Sequence, residues 1–186
     1  MSKDLYTQNT KLKEEIKVLQ DQIYNIFTQN LIVTGKPVEK AQNAAKIINE
    51  LIDGSETELL IITPVIDKKY LGKLIDKVNA NINVMIVTAE MDQMTTKDYK
   101  QNLKTIKANE AIKSFTNPAT KSLVIIKDKE RGLVSTGALS EEVLNLTQNI
   151  GFLTTNKNYL NILIRFFKEH TPRFTKIELI AVEEEK

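Results

Sequence analysis

The sequence of 186 residues has no cysteine and only one histidine, His170. Without cysteine, disulfide bonds, thiolate nucleophiles and cysteine-ligated metal sites are excluded. One histidine excludes a multi-histidine zinc site within a single chain. No apolar run approaches the ~18 residues that a membrane helix needs, and Met1-Ser-Lys-Asp4 begins a polar segment unlike a signal peptide. These absences predict a cytoplasmic protein with no metal site and no cofactor.

The net charge of +2 hides a concentration of positive charge in one segment. Residues 97–131 contain 9 lysines and arginines against 4 acidic residues, a local charge of +5. Four of these lysines recur at steps of 3, 4 and 3, which places them on one helix face: Lys97, Lys100, Lys104 and Lys107. The pattern predicts a nucleic-acid-binding surface that contacts phosphates without reading sequence. The alternative interpretation is an ordinary solvated helix face.

Residues 5 to 30 have the apolar spacing of a coiled coil. Apolar residues recur at steps of 7, 4, 3, 4 and 3, with no glycine or proline between them: Leu5, Leu12, Ile16, Leu19, Ile23 and Ile26. We predict a coiled-coil helix over residues 1–33 that dimerises the protein through this seam, followed by one α/β domain over residues 34–186. The alternative is an amphipathic helix that docks on its own domain.

After a break at Thr34-Gly-Lys-Pro37, strand and helix patterns alternate. The predicted strands are Glu58–Thr63, Ile82–Thr88, Ala111–Phe115, Ser122–Ile126, Leu133–Thr136, Asn149–Thr154 and an edge strand at Lys176–Val182. The predicted helices are one that starts at Pro37 and carries Val38, Ala41, Ala45, Ile48 and Ile52 on one face, then Asp67–Asn79, Thr95–Asn109, Glu141–Thr147 and Asn156–His170. This order predicts an α/β fold, a mixed sheet flanked by helices.

Three parts of this order resemble the phospholipase D superfamily. Leu59–Asp67 is similar to the family's opening strand and turn, and Asn149–Asn156 to its closing strand and helix start. Lys121–Asp128 followed by Leu133–Leu139 is similar to the catalytic strand pair. The resemblance spans residues 56–170. It implies one half of a phospholipase D-like enzyme, and pairing of two copies as a homodimer across the would-be active cleft.

The catalytic signature of that superfamily is altered in this chain. The signature is histidine, any residue, lysine, four residues, aspartate; here Lys121 stands at the histidine position, Leu123 at the lysine position and Asp128 at the aspartate. The downstream Gly-Ser-x-Asn element falls on Ser135-Thr-Gly-Ala138, without its glycine and asparagine. The family mechanism needs the histidine as nucleophile and the lysine to hold phosphate oxygens. The resemblance therefore implies no catalytic residue and a protein that is not an enzyme.

The resemblance also groups five polar residues into what we term the relic cleft: Lys121, Ser122, Asp128, Ser135 and Thr136. Hydroxyl groups and a lysine can bind an anion or phosphate without turning it over. The alternative interpretation of these residues is the ordinary polarity of turns and strand ends.

A second resemblance concerns the order of the two predicted parts. A coiled-coil helix followed by a phospholipase D-like effector domain without catalytic residues is similar to archaeal sugar-responsive transcriptional regulators of the TrmB type, although the winged helix of those proteins has no counterpart in this sequence. We expect a non-catalytic regulatory module that contacts nucleic acid or a small anionic ligand, with no membrane contact. The alternatives are a dimeric protein–protein scaffold, and a phosphodiesterase or nuclease with a non-standard catalytic set.

Overall fold

A computed structural model describes Lys13, Glu14, Ile16 and residues 30–36, 41–146 and 149–172. Its strands are β1 (Asn30–Thr34), β2 (Gln42–Asn43), β3 (Glu58–Thr63), β4 (Asn83–Thr88), β5 (Ile112–Thr116), β6 (Leu123–Lys127), β7 (Arg131–Ser135) and β8 (Ile150–Thr154). Its helices from residue 41 onward are α1 (Ala44–Asp53), α2 (Lys68–Asn79), α3 (Lys97–Ala108), α4 (Glu141–Leu144) and α5 (Lys157–His170), with a 3-10 turn at Met91–Gln93. The eight strands form one mixed sheet in the order β2-β1-β8-β7-β6-β3-β4-β5.

The predicted α/β fold with a mixed sheet is confirmed. Strand β3 occupies the predicted residues, and α2 and α3 begin where side chains cap them. Asp67 Oδ1 accepts a hydrogen bond from the Tyr70 N–H at 3.0 Å, and Thr96 Oγ1 accepts one from the Tyr99 N–H at 3.2 Å. These caps explain why the predicted boundaries of α2 and α3 agree closely with the observed ones.

The two faces of the sheet are covered by different helices. On one face, α1, α2 and α3 pack their apolar stripes against the sheet, with Ile48, Leu74 and Ile106 in one buried cluster. On the other face, α5 packs on β3, β6 and β7, where Phe167 is fully buried. The part of this second face formed by β1 and β8 remains exposed, with Ile32 58% accessible.

The structure corrects the prediction for residues 30–43. Residues 30–33, predicted as the end of a coiled-coil helix, lie in β1, which pairs antiparallel with β8. β-branched residues favour this strand, since Ile32, Val33 and Thr34 follow one another. The helix predicted to start at Pro37 begins at Ala44, because the Asn43 side chain caps it by accepting from the Lys46 N–H at 2.9 Å. The division of the chain into two domains at residue 33 stays a prediction.

Most of the predicted dimerisation seam falls outside the described residues. Ile16 is helical and 53% exposed, whereas Leu5, Leu12, Leu19, Ile23 and Ile26 lie outside the description, as does the predicted strand at Lys176–Val182. The coiled coil therefore stays a prediction. In the described part of the chain, every helix is too short or too polar to cross a bilayer.

Candidate functional site

The register of β6 and β7 separates the residues of the relic cleft into two groups. These strands are antiparallel, with Leu123 opposite Ser135 at one end and Lys127 opposite Arg131 at the other. Ser122, Ser135 and Thr136 therefore lie at one end of the pair, and Asp128 lies in the turn at the opposite end. The structure brings together only part of the predicted set.

Three of the predicted residues line one shallow hollow on the open part of the sheet. Ser122, Ser135 and Thr136 border a cleft of about 430 Å³ whose remaining lining is mainly apolar: Ile32, Val134, Ile150, Gly151 and Phe152. This lining differs from a phosphate site, which needs several donors or cations converging on one point.

Lys121 borders a different hollow, of about 330 Å³, together with Gln93, Pro118 and Thr120. The Lys121 side chain is exposed. Thr120 is 3% exposed, and its hydroxyl has no hydrogen-bond partner within the described ranges. The lysine and the serines of the relic cleft thus line separate depressions.

The position of the family's lysine is occupied by part of the core. Leu123 is fully buried in the cluster beneath α1 and α2. An apolar side chain in the core cannot reach or neutralise a phosphate.

Ser135 is engaged in the turn that follows β7. Its hydroxyl donates to Asn149 Oδ1, and it accepts the Gly137 N–H at 3.1 Å. Asn149 is 3% exposed and donates from Nδ2 to the Leu144 carbonyl at 3.1 Å. Asn149 was not among the predicted site residues, and its only sequence signal is an amide at the start of a predicted strand. The Ser135–Asn149 pair ties β7, α4 and β8 together.

The Asp128 carboxylate accepts hydrogen bonds from the residues at the start of β3. Its Oδ1 accepts the N–H groups of Thr57 at 2.8 Å and Glu58 at 2.9 Å, and the Thr57 hydroxyl at 2.9 Å. Its Oδ2 accepts the Glu56 N–H at 3.1 Å. Partial burial acts to raise the pKa of Asp128, but the hydrogen bonds from Glu58, Thr57 and Glu56 outweigh it, so that the pKa is lowered below its ordinary value. Asp128 supports the fold at a distance from the other relic-cleft residues.

The four predicted lysines lie along one side of α3, which we term the lysine face. Lys97, Lys104 and Lys107 are exposed and Lys100 is half-buried. The helix buries other residues against the sheet: Asn102, Leu103 and Ile106. Among the described residues, none of the four lysines takes part in an ion pair. The lysine face is thus a row of three exposed lysines and one half-buried lysine.

Comparison with solved structures places this sheet in the phospholipase D fold. NucT from Helicobacter pylori has a TM-score of 0.62 at 13% identity, covering 76% of this chain and 94% of that chain. Nuc from Salmonella typhimurium, described as a phospholipase D family member, has a TM-score of 0.60 at 13% identity with the same coverage. TrmBL2, described as an archaeal chromatin protein with a novel mode of DNA binding, has a TM-score of 0.53 at 12% identity over 89% of this chain and 65% of that chain. At these identities the likeness shows the fold, and the predicted phospholipase D-like architecture is confirmed.

The sequence itself matches a family model over residues 37–171, described as transcriptional regulator TrmB, EBD N-terminal subdomain. The chain belongs to this family, and the predicted resemblance to TrmB-type regulators is confirmed. A comparison of the sequence with curated proteins found no match.

Proposed function

We propose that this protein is a non-catalytic regulatory module that holds nucleic acid through the lysine face of α3. The observation that carries the proposal is the row of four lysines on one side of a helix, with no carboxylate paired to them in the described part of the chain. From Lys97 to Lys107 the helix rises about 15 Å, which spans about four phosphates along one strand of duplex DNA. Such a row binds by charge, with affinity that falls as salt rises.

The comparisons support a nucleic-acid role. The family model that the chain matches describes a transcriptional regulator, and the DNA binding named for TrmBL2 occurs in a protein of similar fold. The alternative interpretation is an ordinary solvated helix face. That interpretation does not require four lysines on one side of the helix with no acidic partner among the residues that the structure describes.

We propose the absence of catalysis from the residues that stand at the family's catalytic positions in and beside β6 and β7. Leu123 is buried where the family's lysine would stand, and Lys121 replaces the histidine that would form the covalent intermediate. Ser135 is bound to Asn149 and Gly137. The described lining of the hollow beside it has hydroxyl groups but no histidine, lysine or arginine, so this strand pair supports binding rather than turnover by the family mechanism.

We also propose that a second copy of the chain covers what we term the open sheet face: Ile32, Val134, Ile150 and Phe152. Ile32 and Ile150 are 58% and 55% exposed. Phe152 meets Tyr159 of α5 edge-on at 6.0 Å between ring centroids, and Tyr159 begins an exposed apolar stripe on that helix: Tyr159, Ile162 and Phe166. A contiguous apolar surface of this kind marks an interaction site. Because Ser122, Ser135 and Thr136 border it, the pairing would close the relic cleft, as the family resemblance implies.

The test of the nucleic-acid proposal is fluorescence anisotropy of a labelled random duplex at two salt concentrations. In one variant, glutamine replaces the four lysines of the lysine face. In a control variant of equal charge, glutamine replaces four exposed lysines elsewhere: Lys13, Lys36, Lys46 and Lys157. We expect tight, salt-sensitive binding that weakens at least about tenfold in the first variant and much less in the control. Equal weakening in both variants would contradict a role for this face, and no binding at low salt would contradict the function.

A further inference from the structure

A cleft of about 830 Å³ with polar and apolar lining residues lies between α2 and α3. Each helix borders it with residues spaced i, i+3, i+4 and i+7: Lys68, Leu71, Gly72 and Ile75 from α2, and Asp98, Gln101, Asn102 and Thr105 from α3. Side chains at this spacing form one stripe on a helix, so two stripes form the walls. The volume is in the range of pockets that bind small molecules.

The α3 wall of the cleft contains a buried amide with an unused acceptor. The Asn102 side chain is 9% exposed, and its Nδ2 donates to the Ile66 carbonyl at 3.0 Å. Its Oδ1 accepts no hydrogen bond from any residue that the structure describes. This oxygen is not one of the fully buried atoms that lack a partner, and Asn102 lines the cleft, so the oxygen is open to the cleft and a ligand N–H placed there would donate to it.

The charged groups that border the cleft are mostly carboxylates, although both oxygens of Asp67 already accept backbone N–H groups. Three carboxylates, Asp67, Asp98 and Glu142, border it, against one ammonium group, Lys68. Within the described ranges neither Asp98 nor Glu142 forms an ion pair. This balance favours a ligand rich in donors and positively charged.

Two other features define the shape of the ligand. Leu71 and Ile75 provide an apolar wall. At one end the Tyr99 and Ser140 hydroxyls lie 2.9 Å apart, and each retains further capacity to hydrogen-bond. A chain of a few methylene groups with a charged donor at its end matches this arrangement.

From these groups we propose that the cleft between α2 and α3 binds a small organic cation, an amine or guanidine carried on a short apolar chain. The cation lies near Asp98 and Glu142, an N–H reaches Asn102 Oδ1, and the chain packs on Leu71 and Ile75. The lysine face lies on another side of α3, so this inference does not depend on the proposed nucleic-acid function.

Gly72 offers a direct way to block the cleft. A Cβ at Gly72 would meet nothing within 4 Å, and glycine inside a helix is less stable than alanine or leucine. Gly72→Leu is therefore expected to place an apolar side chain in the cleft, and Gly72→Ala is the matched control that adds only a methyl group.

The experiment is isothermal titration calorimetry of the full chain with agmatine and tyramine, beside two probes of other charge, neutral 1,5-pentanediol and anionic glutarate. We expect a cation to bind and the other two probes to bind at least about tenfold more weakly. Gly72→Leu should abolish the binding, and Gly72→Ala should retain it. The double variant Asp98→Asn, Glu142→Gln should weaken it by about threefold or more, since the carboxylates are exposed.

Three results would each overturn the inference. They are no binding of either cation, equal or tighter binding of glutarate, and cation binding that is unchanged in Gly72→Leu. Unfolding curves of the variants accompany the titrations, so that a loss of binding is read only from a folded protein.

Discussion

The carboxylate of Asp128 receives three backbone N–H groups and one hydroxyl at the far end of β6 from Ser135. The resemblance to the phospholipase D catalytic motif places Asp128 and Ser135 in one cleft, because both lie within the motif in the sequence. Antiparallel pairing separates them in space, and sequence spacing alone does not show this. Asn149 and Asn102 were missed for a related reason, since an asparagine has no sequence signature of its role. The one available signal for Asn102 was its place beside Leu103 and Ile106 on the buried side of α3.

Asp128→Asn should destabilise the protein in a pH-dependent manner. The pKa of Asp128 is lowered in the folded protein, so its ionised form contributes stability above the unfolded pKa of about 3.9, and this is lost as pH falls through the folded value. Asparagine tolerates the left-handed backbone found there, φ 51°, but lacks the charge. We expect a loss of about 2 kcal/mol in the free energy of unfolding at pH 7, measured by urea denaturation.

The control for this change is Asp76→Asn at an exposed position of α2. It should alter the free energy of unfolding by less than about 0.5 kcal/mol. The difference caused by Asp128→Asn should shrink at pH 3. A difference that is equal at pH 7 and pH 3 would contradict the role assigned to the charge.

At the scale of elements, the sequence was informative where local signals agreed. β3 is a continuous apolar run, and α2 and α3 have caps that act within three residues. β1 and β2 were missed because their pairing depends on partners brought together by the fold: β1 lies against β8, which is distant in the chain. A heptad pattern immediately before residue 30 also favoured continuation of a helix.

The open sheet face provides a prediction at this scale. Ile150→Glu places a charge on a side chain that is 55% exposed in the single chain, so it should scarcely affect folding but should prevent burial of this face. We expect light scattering to show a dimer for the original chain and a monomer for Ile150→Glu.

Lys46→Gln is the control for Ile150→Glu, because it makes the same change in net charge on α1, which packs on the opposite face of the sheet. It should remain dimeric. A dimer that persists in Ile150→Glu would show that another contact, such as the predicted coiled coil, accounts for pairing.

At the scale of the whole molecule, the chain combines a phospholipase D-like sheet with a strand pair that has Lys121 at the family's histidine position, Leu123 at its lysine position and Asp128 at its aspartate position. The same helix, α3, has lysines on one side and one wall of a cleft on another. The fold was predictable because strands and helices alternate in a distinctive order. The cavities were not predictable from the sequence, because the cleft between α2 and α3 depends on how the side-chain stripes of two separate helices meet.

A gel assay of binding and cleavage in the same samples tests whether this molecule holds nucleic acid without cutting it. A 5′-labelled duplex is incubated with stoichiometric protein at low salt, with Mg²⁺ or with a chelator, and each sample is divided between a native and a denaturing gel. We expect a retarded complex whose strands stay at full length throughout. Shortened strands that accumulate with time, and that disappear with Lys121→Ala, would contradict it.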